Sequence, residues 1–161
     1  MEQLELTLAY DLPERIVPLF TEYTDMLVQE DPSFQRYLDI QHYDDEVQDL
    51  RMKYGLPSGR LYLAHQGDTD IGCVALRRLD DTRCELKRLY IRPAYRGRGY
   101  ARRLMDQILA DARAIGYRHL LLDTLPFLET AIGMYRRMGF YDIPCYNDSP
   151  LDHTVFLQFD L

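Results

Sequence analysis

The sequence predicts a mixed α/β fold, antiparallel on its N-terminal side and carrying one parallel β-α-β crossover. Three observations predict it. Strand-like runs at residues 60–65, 70–79 and 84–91 are joined by the links 66–69 and 80–83. Links that short force an antiparallel meander. Residues 99–115 place Ala101, Leu104, Met105, Ile108, Leu109, Ala112 and Ile115 on one helical face, and Gly116 stops the helix. Residues 119–123, centred on Leu120-Leu121-Leu122, read as a buried strand. Strand, helix and strand then make a right-handed parallel crossover.

The other elements follow in order. Residues 4–9 read as a short strand. Asp11 reads as a helix N-cap, with Glu14 three residues on and Pro13 in the first turn. Ile16, Phe20, Tyr23 and Leu27 continue the stripe. Residues 31–43 read as irregular. Asp44 is expected to cap a second helix with Val47, Leu50 and Tyr54 inward and Gly55 ending it. Residues 56–59 form a turn. Residues 127–138 are a shorter helix ended by Gly139, and residues 140–143 and 153–159 are closing strands. With 161 residues, no repeat and no long linker, the expectation is one domain over 1–161.

Composition narrows the function. An apolar content of 47% with 28% charged residues is ordinary for a soluble globular protein. No apolar stretch approaches a membrane span. The first residues are acidic where a secretion signal starts basic, so a cytoplasmic protein is expected. A net charge of −7 argues against nonspecific nucleic-acid binding. Cys73, Cys84 and Cys145 form no disulfide framework, and the first two read as core residues. His42, His65, His119 and His153 are scattered outside any metal-ligand spacing, so no metal is expected. Oligomeric state stays open, a homodimer included.

Against this acidic background, residues 92–103 hold five arginines and no acid. The strand ending at Ile91 runs into Arg92-Pro93-Ala94-Tyr95, then Arg96-Gly97-Arg98-Gly99, then a helix. Glycines at such a turn let backbone approach a ligand. Free N–H groups and the helix dipole favour a phosphate there, and arginines add charge-assisted hydrogen bonds. A Rossmann dinucleotide turn has to be weighed, since Gly97-x-Gly99 is present and Asp123 ends the next strand. Against it, Arg102 stands where the third glycine belongs, a four-residue insert precedes the glycines, and the strand follows an antiparallel meander. A P-loop fails for want of Gly-Lys-Ser/Thr.

Arg96, Gly99 and Ala101 meet the pyrophosphate motif of the GNAT superfamily of N-acetyltransferases, led in by Leu89-Tyr90-Ile91-Arg92-Pro93. A second block, Ala131-Ile132-Gly133-Met134-Tyr135-Arg136-Arg137-Met138-Gly139-Phe140, resembles that family's Ala…Tyr…Gly-Phe helix ending. The resemblance is strong over residues 70–141 and weak over 34–54, where substrate elements usually lie. It implies a GNAT-like acyl-CoA N-acyltransferase fold and acetyl-CoA as co-substrate. It implies pyrophosphate binding by Arg96, Gly97, Arg98, Gly99, Tyr100, Ala101 and Arg102. Main-chain groups of Leu89, Tyr90 and Ile91 would pair with the pantetheine arm like an added strand. The family splays that strand from its neighbour with a bulge, which no residue pattern here marks. One departure is Leu128, where many members carry an asparagine that contacts pantetheine. A backbone contact or Thr130 is the substitute.

The implied reaction is direct attack of a primary amine on the thioester in a ternary complex. Such an amine has a pKa of about 10 and arrives protonated, so a base is needed. Glu85, six residues before Ile91, is the candidate, expected to share a face with Lys87, Leu89 and Ile91. The competing role for Glu85 is pairing with Lys87 or solvation at a strand edge. Tyr135 is the candidate acid for the departing thiolate; the competing role is a core aromatic with a tied hydroxyl. Tyr37 and Tyr43, with Asp39, Asp44 and Asp45, are candidates to line a cleft for a cationic small-molecule, amino-acid or peptide amine; the competing role for each is a helix cap or an exposed loop. Tyr146-Asn147-Asp148 would close it from the other side. A non-catalytic module that binds acetyl-CoA for sensing remains the second reading, and a nucleotide binder the third.

Overall fold

The strands Arg60–Gln66 (β2), Thr69–Arg78 (β3) and Arg83–Ile91 (β4) pair as their short links require. In the computed structural model, which describes residues 3–161, β2 runs antiparallel to β3 and β3 to β4. Met1 and Glu2, the start of the acidic N-terminus, lie outside the described residues. Glu5–Leu8 (β1) pairs antiparallel with β2. The chain leaves β4 through the helix Tyr100–Ile115 (α5) and returns as His119–Thr124 (β5), parallel to β4. Val155–Asp160 (β7) pairs antiparallel with β5, and Tyr141–Asp142 (β6) with β7. Among the described residues, the strands form one seven-stranded sheet in the order β1-β2-β3-β4-β5-β7-β6. This is the mixed α/β fold with one parallel pair that the sequence predicts.

Each face of the sheet is covered by helices whose apolar stripes match it. Leu104, Met105, Ile108 and Ala112 of α5 pack on Ile71, Val74, Cys84, Leu86, Leu120 and Leu122. On the opposite face, Ile16, Leu19 and Phe20 of Pro13–Glu30 (α1) pack on Leu61, Leu63, Cys73 and Ala75. Burying a side chain of this size contributes about 1.5–3 kcal/mol, so these two layers supply most of the driving force for the fold.

Local structure departs from expectation in the N-terminal helices. Asp11 does not cap α1. The helix starts after Leu12, and Asp11 is one residue too early, exposed and paired with Arg51 at 2.7 Å. Residues 31–43 are not irregular throughout, because Phe34–Ile40 (α2) is a helix. Its Phe34, Tyr37 and Leu38 bury against Leu27, Leu125 and Leu151. The single helix expected after Asp44 is two, Tyr43–Gln48 (α3) and Leu50–Tyr54 (α4), parted at the non-helical Asp49. The halves bury different partners: Glu46 meets a buried arginine, whereas Leu50 and Tyr54 join the α1 layer. Asp44 is therefore an exposed first-turn residue, and His42 is the N-cap. Gly55 ends α4 in extended backbone.

Candidate active site

The site begins where β4 and β5 part. Their pairing ends at Glu85 opposite Leu121. Beyond that point β5 pairs only with β7, and β4 only with β3. Leu86–Ile91 of β4 thus presents an unpaired backbone edge inside the sheet. The cause lies in β4 itself. Cys73 faces Tyr90 and Ala75 faces Lys87, so Arg88 and Leu89 stand opposite Val74 alone, and Arg88 has φ 57°. That extra residue is a β-bulge, which bends and twists its strand. Gly72 permits it: a Cβ there would lie 2.3 Å from the Tyr90 carbonyl oxygen.

The bulge also reverses the side-chain alternation. Lys87 pairs with Ala75 of the α1 layer, and Glu85 shares its face. Leu89 and Ile91 pack instead with the α5 layer, and Tyr90 with the α1 layer. Glu85 therefore does not share a face with Leu89 and Ile91, because strict alternation fails across the extra residue.

From Ile91 the chain passes a short 3-10 turn, Pro93–Tyr95, into the glycine turn. Gly97 and Gly99 have φ 78° and 79°, and a Cβ on either would touch nothing. Conformation, not space, requires glycine here. The Arg103 N–H is bonded to the Gly99 carbonyl at 3.1 Å, and no side chain caps α5. The amides of Tyr100, Ala101 and Arg102 come before that first helical bond and have no helical acceptor, an arrangement that suits an anion. The arginines around it are largely engaged. Arg92 pairs with Glu22 at 2.7 Å, Arg96 Nε donates to the Ile91 carbonyl at 2.9 Å, and Arg102 Nε lies 3.0 Å from Asp106. Arg98 lies over the Tyr95 ring. At this turn the main-chain amides, more than the arginine side chains, are left without partners among the described residues.

A cleft of about 1000 Å³ runs from the turn along the open β4 edge. Leu89, Tyr90 and Ile91 line it, as do Arg96, Gly97, Gly99, Tyr100, Ala101 and Arg102. The helix Glu129–Met138 (α6) closes one side. Leu128, at its N-cap, and Thr130 both line the cleft. So does Tyr135, 5% exposed, whose hydroxyl has no hydrogen-bond partner among the described residues. Burial pushes its pKa well up, so it stays protonated.

The other end of the cleft is polar. Asp123 and Tyr37 line it. Tyr37 donates to Asp123 Oδ2, and Asn147 Nδ2 donates to the same oxygen at 2.6 Å. Asp123 Oδ1 has no partner among the described residues. Burial and then the Asp123 carboxylate push the Tyr37 pKa up, which keeps that hydroxyl a donor. Glu85 lies behind this wall, 3% exposed and outside the lining. It accepts from Tyr146 at 2.5 Å, with Arg77 Nε 3.3 Å away but not in hydrogen-bonding geometry. Burial, with the charge of Glu85, likewise pushes the Tyr146 pKa up. Tyr43 lies outside the lining, its ring 5.1 Å from the Arg88 guanidinium. Asp39, Asp44 and Asp45 are exposed and outside it too. Asp123, Arg88, Glu46 and Gln41 were not singled out for this end from sequence. A polar residue closing the apolar run Leu120-Leu121-Leu122 was the available signal for Asp123.

An open backbone edge leading to uncapped amides defines an acyl-CoA N-acyltransferase fold. The Acetyltransferase (GNAT) family model matches residues 20–140, and the chain belongs to that family of acyltransferase enzymes. An uncharacterised N-acetyltransferase of Schizosaccharomyces pombe is 34% identical over 84% of this chain and 85% of its own length. An acetyltransferase from Streptococcus agalactiae superposes over the whole of both chains with a TM-score of 0.77 at 20% identity. The PaiA N-acetyltransferase of Thermoplasma acidophilum, solved in complex with coenzyme A, covers 99% of both chains with a TM-score of 0.74 at 16% identity. Among the described residues, no helix is long and apolar enough to cross a membrane.

Proposed function

We propose that the chain, as one N-acetyltransferase domain, moves an acetyl group from acetyl-CoA to a primary amine by direct attack in a ternary complex. The observation that carries this reading is the unpaired β4 edge from Leu86 to Ile91, which leads to the uncapped start of α5. The amides from Gly97 to Arg102 hold the pyrophosphate. The main chain of Leu89, Tyr90 and Ile91 pairs with the pantetheine arm as an added strand. Acetyl-CoA supplies the activated thioester, and the remaining work falls to side chains near the point where the strands part. Asp123, with Oδ2 held by Tyr37 and Asn147, offers Oδ1 to the protonated amine and takes its proton. Glu85 is the second proton acceptor, reached through the Tyr146 hydroxyl. Tyr135, kept protonated by burial, donates to the departing thiolate.

Thiol release from acetyl-CoA across a panel of primary amines tests the reading. Amine-dependent release is expected. Tyr135→Phe should lower turnover about 10- to 100-fold, with acetyl-CoA affinity changing far less. Acetyl-CoA binding with no release for any amine would overturn it.

A further inference from the structure

On the β4 side of the splay, the acceptor end sets four cations against two buried carboxylates. Lys87 and Arg88 both line the cleft, with side chains only 6% and 3% exposed. Arg88 uses Nε and Nη2 on Glu46, at 2.8 and 2.9 Å, and Nη2 again on Gln41 Oε1 at 3.0 Å. Its Nη1 has no hydrogen-bond partner among the described residues. Lys87 Nζ donates to the same Gln41 Oε1 at 3.0 Å. The nearest carboxylate oxygen to Lys87 is on Glu85, 4.0 Å away. Lys53 already occupies Glu46 at 2.9 Å, and Arg77 stands 3.3 Å from Glu85. Four cations therefore share Glu46 and Glu85. Burial, opposed by Glu46 and aided by the charges of Lys87 and Arg88, holds the Lys53 ammonium down at about 8. Buried charge that is not matched locally favours an anionic partner.

Across the splay stands the opposite charge. Glu85 is level with Leu121, so Lys87 is level with Asp123, two residues further along each strand. Leu120 and Leu122 belong to the α5 layer, so Asp123 points to the other face, as Lys87 does. Neighbouring strands lie about 4.8 Å apart, and the splay widens that spacing. A ligand with an amine and an acid a few bonds apart spans such a gap. The acids expected to receive a cationic amine, Asp39, Asp44 and Asp45, lie outside the lining. Glu30, at the end of α1, and Glu129, in the first turn of α6, are the further acids in the lining, and both are exposed.

We propose that the acceptor is an amino-acid-type zwitterion, its amine on Asp123 Oδ1 and its carboxylate on Lys87 Nζ and Arg88 Nη1. This rests on the acetyl-transfer reading above and adds the acceptor class to it. The specificity residues are Lys87 and Arg88, and Gln41 holds the two cations together through one oxygen.

The test compares α-amino acids with their own carboxamides and with simple alkylamines, at equal concentrations of free amine, by thiol release. A charge-assisted hydrogen bond contributes about 1.5–3 kcal/mol, so KM for the carboxylate form should be about 10- to 100-fold lower. In Lys87→Met that ratio should fall toward one, with KM moving more than kcat. Gln41→Glu puts a competing carboxylate where the cations converge and should shrink the ratio too. It keeps the proposal testable if Lys87→Met does not fold. Carboxamides or alkylamines used as well as amino acids would overturn the proposal and leave acetyl transfer standing. So would a ratio that persists in both variants. Acetyl-CoA binding with no amine consumed would overturn acetyl transfer itself, and this proposal with it.

Discussion

The two ends of the cleft are built on opposite principles. The proposed donor end comes mainly from residues 86–102, one unbroken stretch, and it presents main chain: a free strand edge, two left-handed glycines and the uncapped amides of α5. The acceptor end is assembled from side chains far apart in sequence. Tyr37 and Gln41 lie on or beside α2, Glu46 on α3, Lys87 and Arg88 on the bulge of β4, Asp123 on β5, and Tyr146 and Asn147 before β7. A main-chain site tolerates changes of side chain but not of backbone angle. A side-chain site does the reverse. Acceptor preference can therefore change while the donor site stays intact.

Substitutions at four residues should break or sharpen that contrast. The largest effect is expected at the acceptor end. Asp123→Asn keeps the shape but removes the proposed base, and should lower turnover by about 10²- to 10⁴-fold in steady-state assays. Glu85→Gln should cost about tenfold, since Glu85 sits behind Tyr146. Equal losses would put both carboxylates at the amine, and a larger loss at Glu85 would reverse their roles.

The next effect is on stability. Glu46→Ala strips Arg88 and Lys53 of their shared carboxylate. Leaving such a charge buried costs about 3–5 kcal/mol, measurable by denaturant unfolding. The same pair sets an acid limb. Although burial opposes it, Arg88 and Lys53 hold the Glu46 pKa down at about 2, against an ordinary 4.5. The folded pKa is thus the lower one, so the stabilisation is complete above pH 4.5 and drains away as pH falls toward 2. That contribution is on the order of 3 kcal/mol. In Glu46→Gln the slope of stability against pH across this window should flatten; an unchanged slope would assign the limb to other carboxylates.

An effect well below that of Asp123→Asn should come at the donor end. Gly99→Ala introduces a Cβ at φ 79°. The left-handed conformation costs a non-glycine residue about 1–2 kcal/mol. KM for acetyl-CoA should rise about 5- to 30-fold, and more than KM for the amine. The opposite order would break the division between the two ends.

Much of this was legible from residues. The meander followed from link lengths, α5 from its stripe and the turn from Gly97 and Gly99, each a matter of neighbours along the chain. In α2 too, Phe34, Tyr37 and Leu38 carry the helical spacing, hidden among acids and a proline. The parting of α3 from α4 at Asp49 was less accessible, because nothing local marks it. Each half turns toward a different distant partner, Arg88 for one and the α1 layer for the other.

The bulge divides the two kinds of information most sharply. Residues 84–91 announce a strand, yet no residue among them announces the extra one. It exists because Gly72, on the neighbouring strand, leaves room for the Tyr90 carbonyl. From it follow the reversed faces of β4, the open edge of the cleft and the approach of Arg88 to Glu46. Short-range chemistry was sufficient for the helices, the meander and the anion turn, since their hydrogen bonds and stripes lie within a few residues. Long-range packing chose which carboxylate lines the cleft and which cations face it, because those groups meet only after the sheet has closed.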